Sequence, residues 1–482
     1  MYKLPLLYTP EQEESVLADF LAAYPVYRDT AKLDDLRAND YERLDKRGHT
    51  YLDYTGGGIY ASSQLREHME LLQSDVYGNP HSSNPTSQAV TKLDEHARQY
   101  VLEYFNASPD EYEVIFTLNA SGALKLVGES YPFNAGNLYA LTFDNHNSVN
   151  GIREYAKSKG AEVVYIPVVP PDLRVDEAKL YAVLDNPGSA GHNLFAYPAQ
   201  SNFSGVQHPL EWIAYAQARG WDVLVDFAAY APTNVVDLGR WHPDFVCLSF
   251  YKIFGYPTGI GCLIARKSAV AKLQRPWFAG GTITVASVQA GTHTLHEGEA
   301  SFEDGTINYL NIPAVEIGLR HICMVGMDVI HQRVVSLAGW LIDNLLTLRH
   351  SNGAPLIRLY GPTSMDRRGS TITINFYDPH GKLLEFRHVE AEANQELISL
   401  RTGCFCNPGA GEAAEGFTKE EILSFLAYHE RMTFEEFIEV AAMNGRNAGA
   451  LRVSLGLVSN FHDTYRFMAF AERFVDRLAE RG

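Results

Sequence analysis

Residues 223–261 read VLVDFAAYAPTNVVDLGRWHPDFVCLSFYKIFGYPTGIG. The apolar run at 223–226 ends in Asp226, and a second run at 245–249 is followed closely by Lys252. Short continuous runs of this kind, bounded by turn residues, read as strands buried on both faces of a parallel sheet. Open α/β sheets place ligands beyond the carboxyl ends of their strands. An acid and an amine 26 residues apart (252 − 226 = 26) are then expected to share one crevice. Either alone reads equally well as a capping acid or a solvated lysine. Together, with the Gly/Pro-rich turn after Lys252, they fit pyridoxal phosphate. That cofactor needs a lysine for a Schiff base and an acid on its pyridine nitrogen, which keeps the ring able to accept electrons from the Cα of an amino acid.

Outward from this stretch, strand candidates at 114–117, 138–142, 163–167, 194–197 and 261–265 alternate with helical patterns such as 149–159 and 209–219. That alternation implies an α/β domain with a mostly parallel sheet. Upstream, residues 10–27 read as an amphipathic helix carrying Val16, Leu17, Phe20 and Leu21, and 29–46 is charged and expected at the surface. Downstream, long helices at 314–349, strands at 357–359, 371–376 and 452–454, and a final helix at 464–480 suggest a smaller α+β domain. The expected division is an N-terminal helical segment (1–47) packing with the small domain, a large cofactor-binding domain (48–330), and the small domain (331–482). A polar helical insertion at about 412–448, in pieces 419–429 and 433–443, interrupts the last.

The chain has 482 residues and a formal net charge of −18. The acidic balance argues against a nucleic-acid partner, which needs a basic stripe. Five cysteines in so long a chain do not make a secreted disulfide framework. No run of about 18 apolar residues suits a membrane span, and the first residues lack a signal-peptide core. A soluble cytoplasmic protein is expected.

The segment SFYKIFGYPTGIG (249–261) resembles the lysine segment of class V, fold type I pyridoxal-phosphate enzymes. YLDYTGGGIY (51–60), YGNPHSSN (77–84), FTLNASGALKLVGE (116–129), FAYPAQSNFSG (195–205) and RTGCFCNPGAGE (401–412) narrow the resemblance. In that order they are similar to the desulfurase-like N-terminal domain of molybdenum-cofactor sulfurases and, more distantly, to cysteine desulfurases. The resemblance implies a large domain with a seven-stranded sheet, a small domain, and a homodimer.

It also implies roles. Lys252 would carry the cofactor and shuttle the Cα proton, Asp226 would pair with the ring nitrogen, and His146 in FDNHNS would stack on the ring. Ala120 and Ser121 at a helix start, with Ser249, would bind the phosphate. Asn202 would lie near the ring oxygen, and Thr282 and Thr306 would reach the site from the partner subunit. In the register Arg-Thr-Gly-x-x-Cys, Cys406 is the nucleophile that holds sulfur as a persulfide. Cys404 and Cys406 could instead form half a zinc site, but no second Cys or His pair of suitable spacing accompanies them; no metal is expected. Arg452 in LRVSLG is the choice for the substrate carboxylate, which a guanidinium grips bidentately, and Arg401 would orient the loop or share that role. Tyr251 stands where cysteine desulfurases have a histidine and Ala229 where they have a glutamine, departures that point to the sulfurase branch. The sulfurases continue into a second domain for which 482 residues leave no room, so the sulfur acceptor stays open.

The expectation is a cysteine desulfurase-like enzyme that takes sulfur from L-cysteine through an enzyme persulfide and leaves alanine. Two alternatives stand beside it. A C–S lyase, or another β-eliminating or class V pyridoxal-phosphate enzyme of the same fold, would not need Cys406; the lyase would release aminoacrylate and hence pyruvate. A non-catalytic sulfur-carrier scaffold would keep the fold without the chemistry.

Overall fold

The computed structural model describes residues 7–80, 82–427 and 431–479. His81 of the quoted 77–84 motif, residues 428–430 of the insertion and Glu480 at the expected end of the last helix lie outside them.

Continuous apolar runs make the central sheet. Its strands are β1 (Tyr112–Thr117), β2 (Leu138–Thr142), β3 (Glu162–Ile166), β4 (Asn193–Pro198), β5 (Trp221–Asp226), β6 (Phe245–Ser249) and β7 (Gly261–Arg266). Every residue of β4, β5 and β6 is buried, because helices cover both faces and leave no wet side on which a polar alternation could form. The spatial order is β1-β7-β6-β5-β4-β2-β3. Only β7 runs antiparallel to its neighbours. The carboxyl ends of β1, β2, β4, β5 and β6 therefore converge on one edge. Two apolar cores pack against the sheet, one holding Val223, Val225 and Phe195, the other Leu224, Leu194 and Ile115.

A second sheet, four-stranded and antiparallel, is made of β8 (Ile357–Tyr360), β9 (Thr371–Phe376), β10 (Arg401–Gly403) and β11 (Ala450–Ser454), in the order β8-β9-β11-β10. The expected helix at 314–349 is two helices, Pro313–Val325 and Met327–Leu345, broken at Gly326, whose φ of +88° suits only glycine. The expected boundary at 330 falls inside the second. The N-terminal helix likewise divides, with Glu13–Ala23 ending before Pro25. The charged stretch at 29–46 is not simply a surface segment. Arg37 is buried there, paired with Asp463 at 2.5 Å and with Asp45, and its Nη1 donates to the Val458 carbonyl. Leu33 and Tyr41 from the same stretch are fully buried. These contacts tie the N-terminal segment to the last helix, Phe461–Glu472. No helix of the described residues is long and apolar enough to cross a membrane.

Candidate active site

The converging strand ends border a cleft of about 610 Å³ lined by Asp226, Lys252, His146, Ser121, Asn202 and Ser249, among others. Asp226 is the last residue of β5, in register with Pro198 of β4 and Cys247 of β6. Its Oδ1 accepts from the Ala228 amide at 2.9 Å, which fixes the carboxylate at the strand end. Lys252 lies on the short helix Phe250–Phe254 that follows β6. That helix stops at Gly255, where φ is +82° and an added Cβ would collide with the Tyr60 amide. Gly58 packs closely too, its amide donating to the Tyr251 carbonyl at 3.0 Å and an added Cβ lying only 3.0 Å from the Lys252 carbonyl, so the YLDYTGGGIY segment is the floor against which the lysine helix rests.

The electrostatics suit an amine held for reaction. Burial lowers the Lys252 pKa, with Asp226 opposing it and the two nearby arginines adding to it. The amine makes no hydrogen bond among the described residues. Burial also lowers the His146 pKa, against the pull of Asp226. His146 Nδ1 accepts from the Ser148 amide at 3.1 Å. In the neutral ring the proton is thereby assigned to Nε2.

Asn119 caps the helix Ala120–Ser130, its Oδ1 accepting from the Gly122 amide at 3.0 Å. The Ala120 amide donates to Ser249 Oγ at 2.9 Å. Ser121 and Ser148 share a hydroxyl contact of 2.6 Å on the cleft wall. A helix N-terminus with two serine hydroxyls and a partial positive charge is an anion seat. The cleft thus offers a desolvated amine, a fixed acid beside it and an anion seat. These residues fit a phosphate-bearing pyridine aldehyde.

The two arginines sit behind this wall and share one acid. Arg452 is buried; its Nη2 donates to Asp53 Oδ1 at 3.1 Å and its Nη1 to the Asn202 carbonyl at 3.0 Å. Its guanidinium lies 4.7 Å from the Phe405 ring centroid. Its Nε is buried without a hydrogen-bond partner, and the bonds to Asp53 and Asn202 use only part of the guanidinium's five N–H donors. Burial lowers its pKa to about 10 despite Asp53. Arg401 is half-exposed and grips Asp53 with Nε and Nη2, the shortest contact being 2.6 Å.

Cys406 is exposed, on a loop where Phe405 and Cys406 both have φ of +54°. The loop is docked on the turn that holds His146, the Asn147 amide donating to the Cys406 carbonyl at 2.6 Å. Cys404 is half-buried, and burial raises its pKa. It lines a second, largely apolar cavity of about 830 Å³ between the four-stranded sheet and the insertion, with Phe417, Phe434 and Phe437 on the far wall. Thr282 and Thr306 do not reach the cleft of their own chain. Thr282 is buried with its hydroxyl donating to the Ala279 carbonyl at 2.8 Å. Thr306 lines a separate cavity beside Phe116, Lys125 and Glu303. Among the described residues no three metal-binding side chains cluster.

Sequence reasoning did not single out Asp53 or Asn407. Asp53 lies inside the quoted YLDYTGGGIY, where an acid flanked by tyrosines was the available signal. Asn407 follows Cys406 directly and is fully buried.

A doubly covered sheet with a lysine and an acid at its strand ends defines a pyridoxal-phosphate enzyme of the α/β class. The profile of the family "Aminotransferase class-V" matches residues 50–464, and the chain belongs to that family. Within it, the chain is similar to the molybdenum cofactor sulfurase of Solanum lycopersicum, 37% identical over 493 residues, covering 96% of this chain and 59% of the relative. The molybdenum cofactor sulfurase of Homo sapiens is 35% identical over 460 residues, covering 91% and 51%. The chain thus spans less than two thirds of the length of these relatives. In fold it is similar to a cysteine desulfurase from Thermococcus onnurineus NA1, with a TM-score of 0.75 at 23% identity, covering 92% of this chain and 98% of that one.

Proposed function

We propose that the chain takes sulfur from L-cysteine and holds it as a persulfide on Cys406, releasing alanine. The observation that carries this reading is the docking of the Cys406 loop on the turn that bears His146, beside the cleft of Lys252 and Asp226.

Bound pyridoxal phosphate supplies the electron sink for the substrate's Cα–H electrons. Lys252, Asp226 and His146 would hold it, with Ser121, the Ala120 turn and Ser249 at the phosphate end and Asn202 on the wall. Lys252 Nζ, its pKa lowered by burial, takes the proton from the substrate Cα. Arg452 binds the substrate carboxylate through guanidinium N–H groups that Asp53 and the Asn202 carbonyl leave uncommitted. Cys406 Sγ, as thiolate, attacks the substrate sulfur. The C–S bond breaks, a Cys406 S–S bond forms, and protonation at Cβ followed by return of the proton from Lys252 Nζ to Cα leaves alanine. The stoichiometry is L-cysteine plus enzyme thiol to alanine plus enzyme persulfide.

Two copies would complete the site, the loop of Thr306 and the segment after Thr282 covering the partner's cleft. The exposed Trp277, Phe278 and Val288 near these loops support that pairing. The name of the sulfurase relatives points the sulfur onward to a molybdenum cofactor. The test is incubation with L-cysteine. Alanine and protein-bound sulfane sulfur in equal amounts are expected; pyruvate without bound sulfur would replace this reading with the C–S lyase.

A further inference from the structure

Asn407 and Asn202 form a side-chain pair between the cleft and the thiol loop. Asn407 Nδ2 donates to Asn202 Oδ1 at 2.9 Å and to the Asp144 carbonyl at 2.7 Å. Asn202 Nδ2 donates to the Phe405 carbonyl at 2.7 Å. The residues on either side of Cys406 are thereby fastened to the wall of the cleft, and Cys406 itself is held through its carbonyl by the Asn147 amide. Asn407 is fully buried, where each unmade hydrogen bond is costly. Its Oδ1 also accepts from the Ala410 amide at 3.2 Å, capping the helix Pro408–Glu415. Donor and acceptor halves of one amide thus serve two different ends.

We propose that Asn407 is a positioning residue: through Asn202 and the Asp144 carbonyl it ties the Cys406 loop to the cofactor cleft, so that filling the cleft and presenting the thiol are coupled. Its meaning for sulfur transfer rests on Cys406 being the nucleophile. Asn202 carries the coupling. One hydrogen of its amide goes to the Phe405 carbonyl, and Asn202 lines the cleft, so an acceptor in the cleft can take the other. Coupling of this kind is reciprocal. If a filled cleft steadies the loop, a steadied loop strengthens binding in the cleft.

The chemistry of the amide supplies the test. Asn407→Asp keeps size and the capping oxygen, which aspartate provides well, but removes both donors to Asn202 and Asp144. Asn407→Ala removes cap and donors together. The readout is the rate of Cys406 alkylation by iodoacetamide in the cofactor-free protein, followed by peptide mass spectrometry. The exposed Cys323 is the internal control. The expected result is alkylation of Cys406 faster by about tenfold in Asn407→Asp, the scale of one or two lost hydrogen bonds, with Cys323 unchanged. Pyridoxal phosphate should also bind Asn407→Asp more weakly, in titration by protein fluorescence. Unchanged Cys406 alkylation in Asn407→Asp would overturn the proposal. So would an effect confined to Asn407→Ala, which would reduce Asn407 to a helix cap. Alanine formation is scored separately. If Asn407→Asp loosens the loop as expected but the wild-type protein never makes alanine, the desulfurase reading fails and the coupling stands.

Discussion

At the scale of single residues, the acid Asp53 decides what the two arginines can do. It pairs with Arg401 and with one edge of Arg452 and leaves the other Arg452 N–H groups for further partners. Replacing Arg452 by Ala should raise KM for L-cysteine by a factor corresponding to about 2–5 kcal/mol, the cost of breaking a buried charge pair. Arg452→Lys should not restore it, because a point charge cannot serve Asp53, the Asn202 carbonyl and a substrate together. An unchanged KM in steady-state kinetics would move the carboxylate to Arg401. Asp94 supplies a second residue-scale test. It is buried, both carboxyl oxygens lack hydrogen-bond partners, and burial pushes its pKa up to about 8. A carboxyl with a raised folded pKa favours folding while protonated. Its contribution is complete below the unfolded value near 4 and disappears as pH rises through about 8. Asp94→Asn should therefore raise the melting temperature at pH 9 and change it little at pH 4. Equal shifts at both pH values would contradict the buried-acid account. Lys252, Asp226 and His146 were legible from sequence because each follows an apolar run. Asp53 and Asn407 act through partners hundreds of residues away, which no local pattern encodes.

At the scale of elements, the sheet was legible where burial writes itself as continuous apolar sequence. The expected strands at 138–142, 245–249 and 371–376 coincide with observed ones. The strand Arg401–Gly403 was not, since Arg-Thr-Gly carries neither alternation nor bulk and is a strand only because β11 pairs with it. The exposed hairpin Ile283–Ser287 and Thr292–Leu295 lacks a buried face and was equally silent. The helix Pro408–Glu415, which carries the thiol loop at its start, packs tightly on the turn before His146. An added Cβ at Gly409 would collide with the Phe143 carbonyl. Gly409→Ala should push this helix off the His146 turn, destabilise the fold by about 1–3 kcal/mol, and expose Cys406 further. Denaturant unfolding with alkylation of Cys406 measures both, and a neutral outcome in both would mean that the two elements are not rigidly joined.

At the scale of the whole molecule, the elements of the seven-stranded sheet supply the cleft, and those of the four-stranded sheet supply the thiol loop and both arginines. The N-terminal segment braces the last helix through Arg37 and Asp463. A dimer should appear in light scattering, with Trp277→Asp shifting it toward monomer and lowering activity together. A fully active monomer would contradict the role given to the Thr306 loop. A single catalytic site made of cleft and thiol is read out by mass spectrometry of the protein after incubation with L-cysteine. Wild type should carry one added sulfur on Cys406. Cys406→Ala should carry none and form no alanine while keeping its cofactor absorption, and Cys404→Ala should still carry sulfur on Cys406. Sulfur on Cys404 in the Cys406→Ala protein, or alanine formed at the wild-type rate without Cys406, would contradict it.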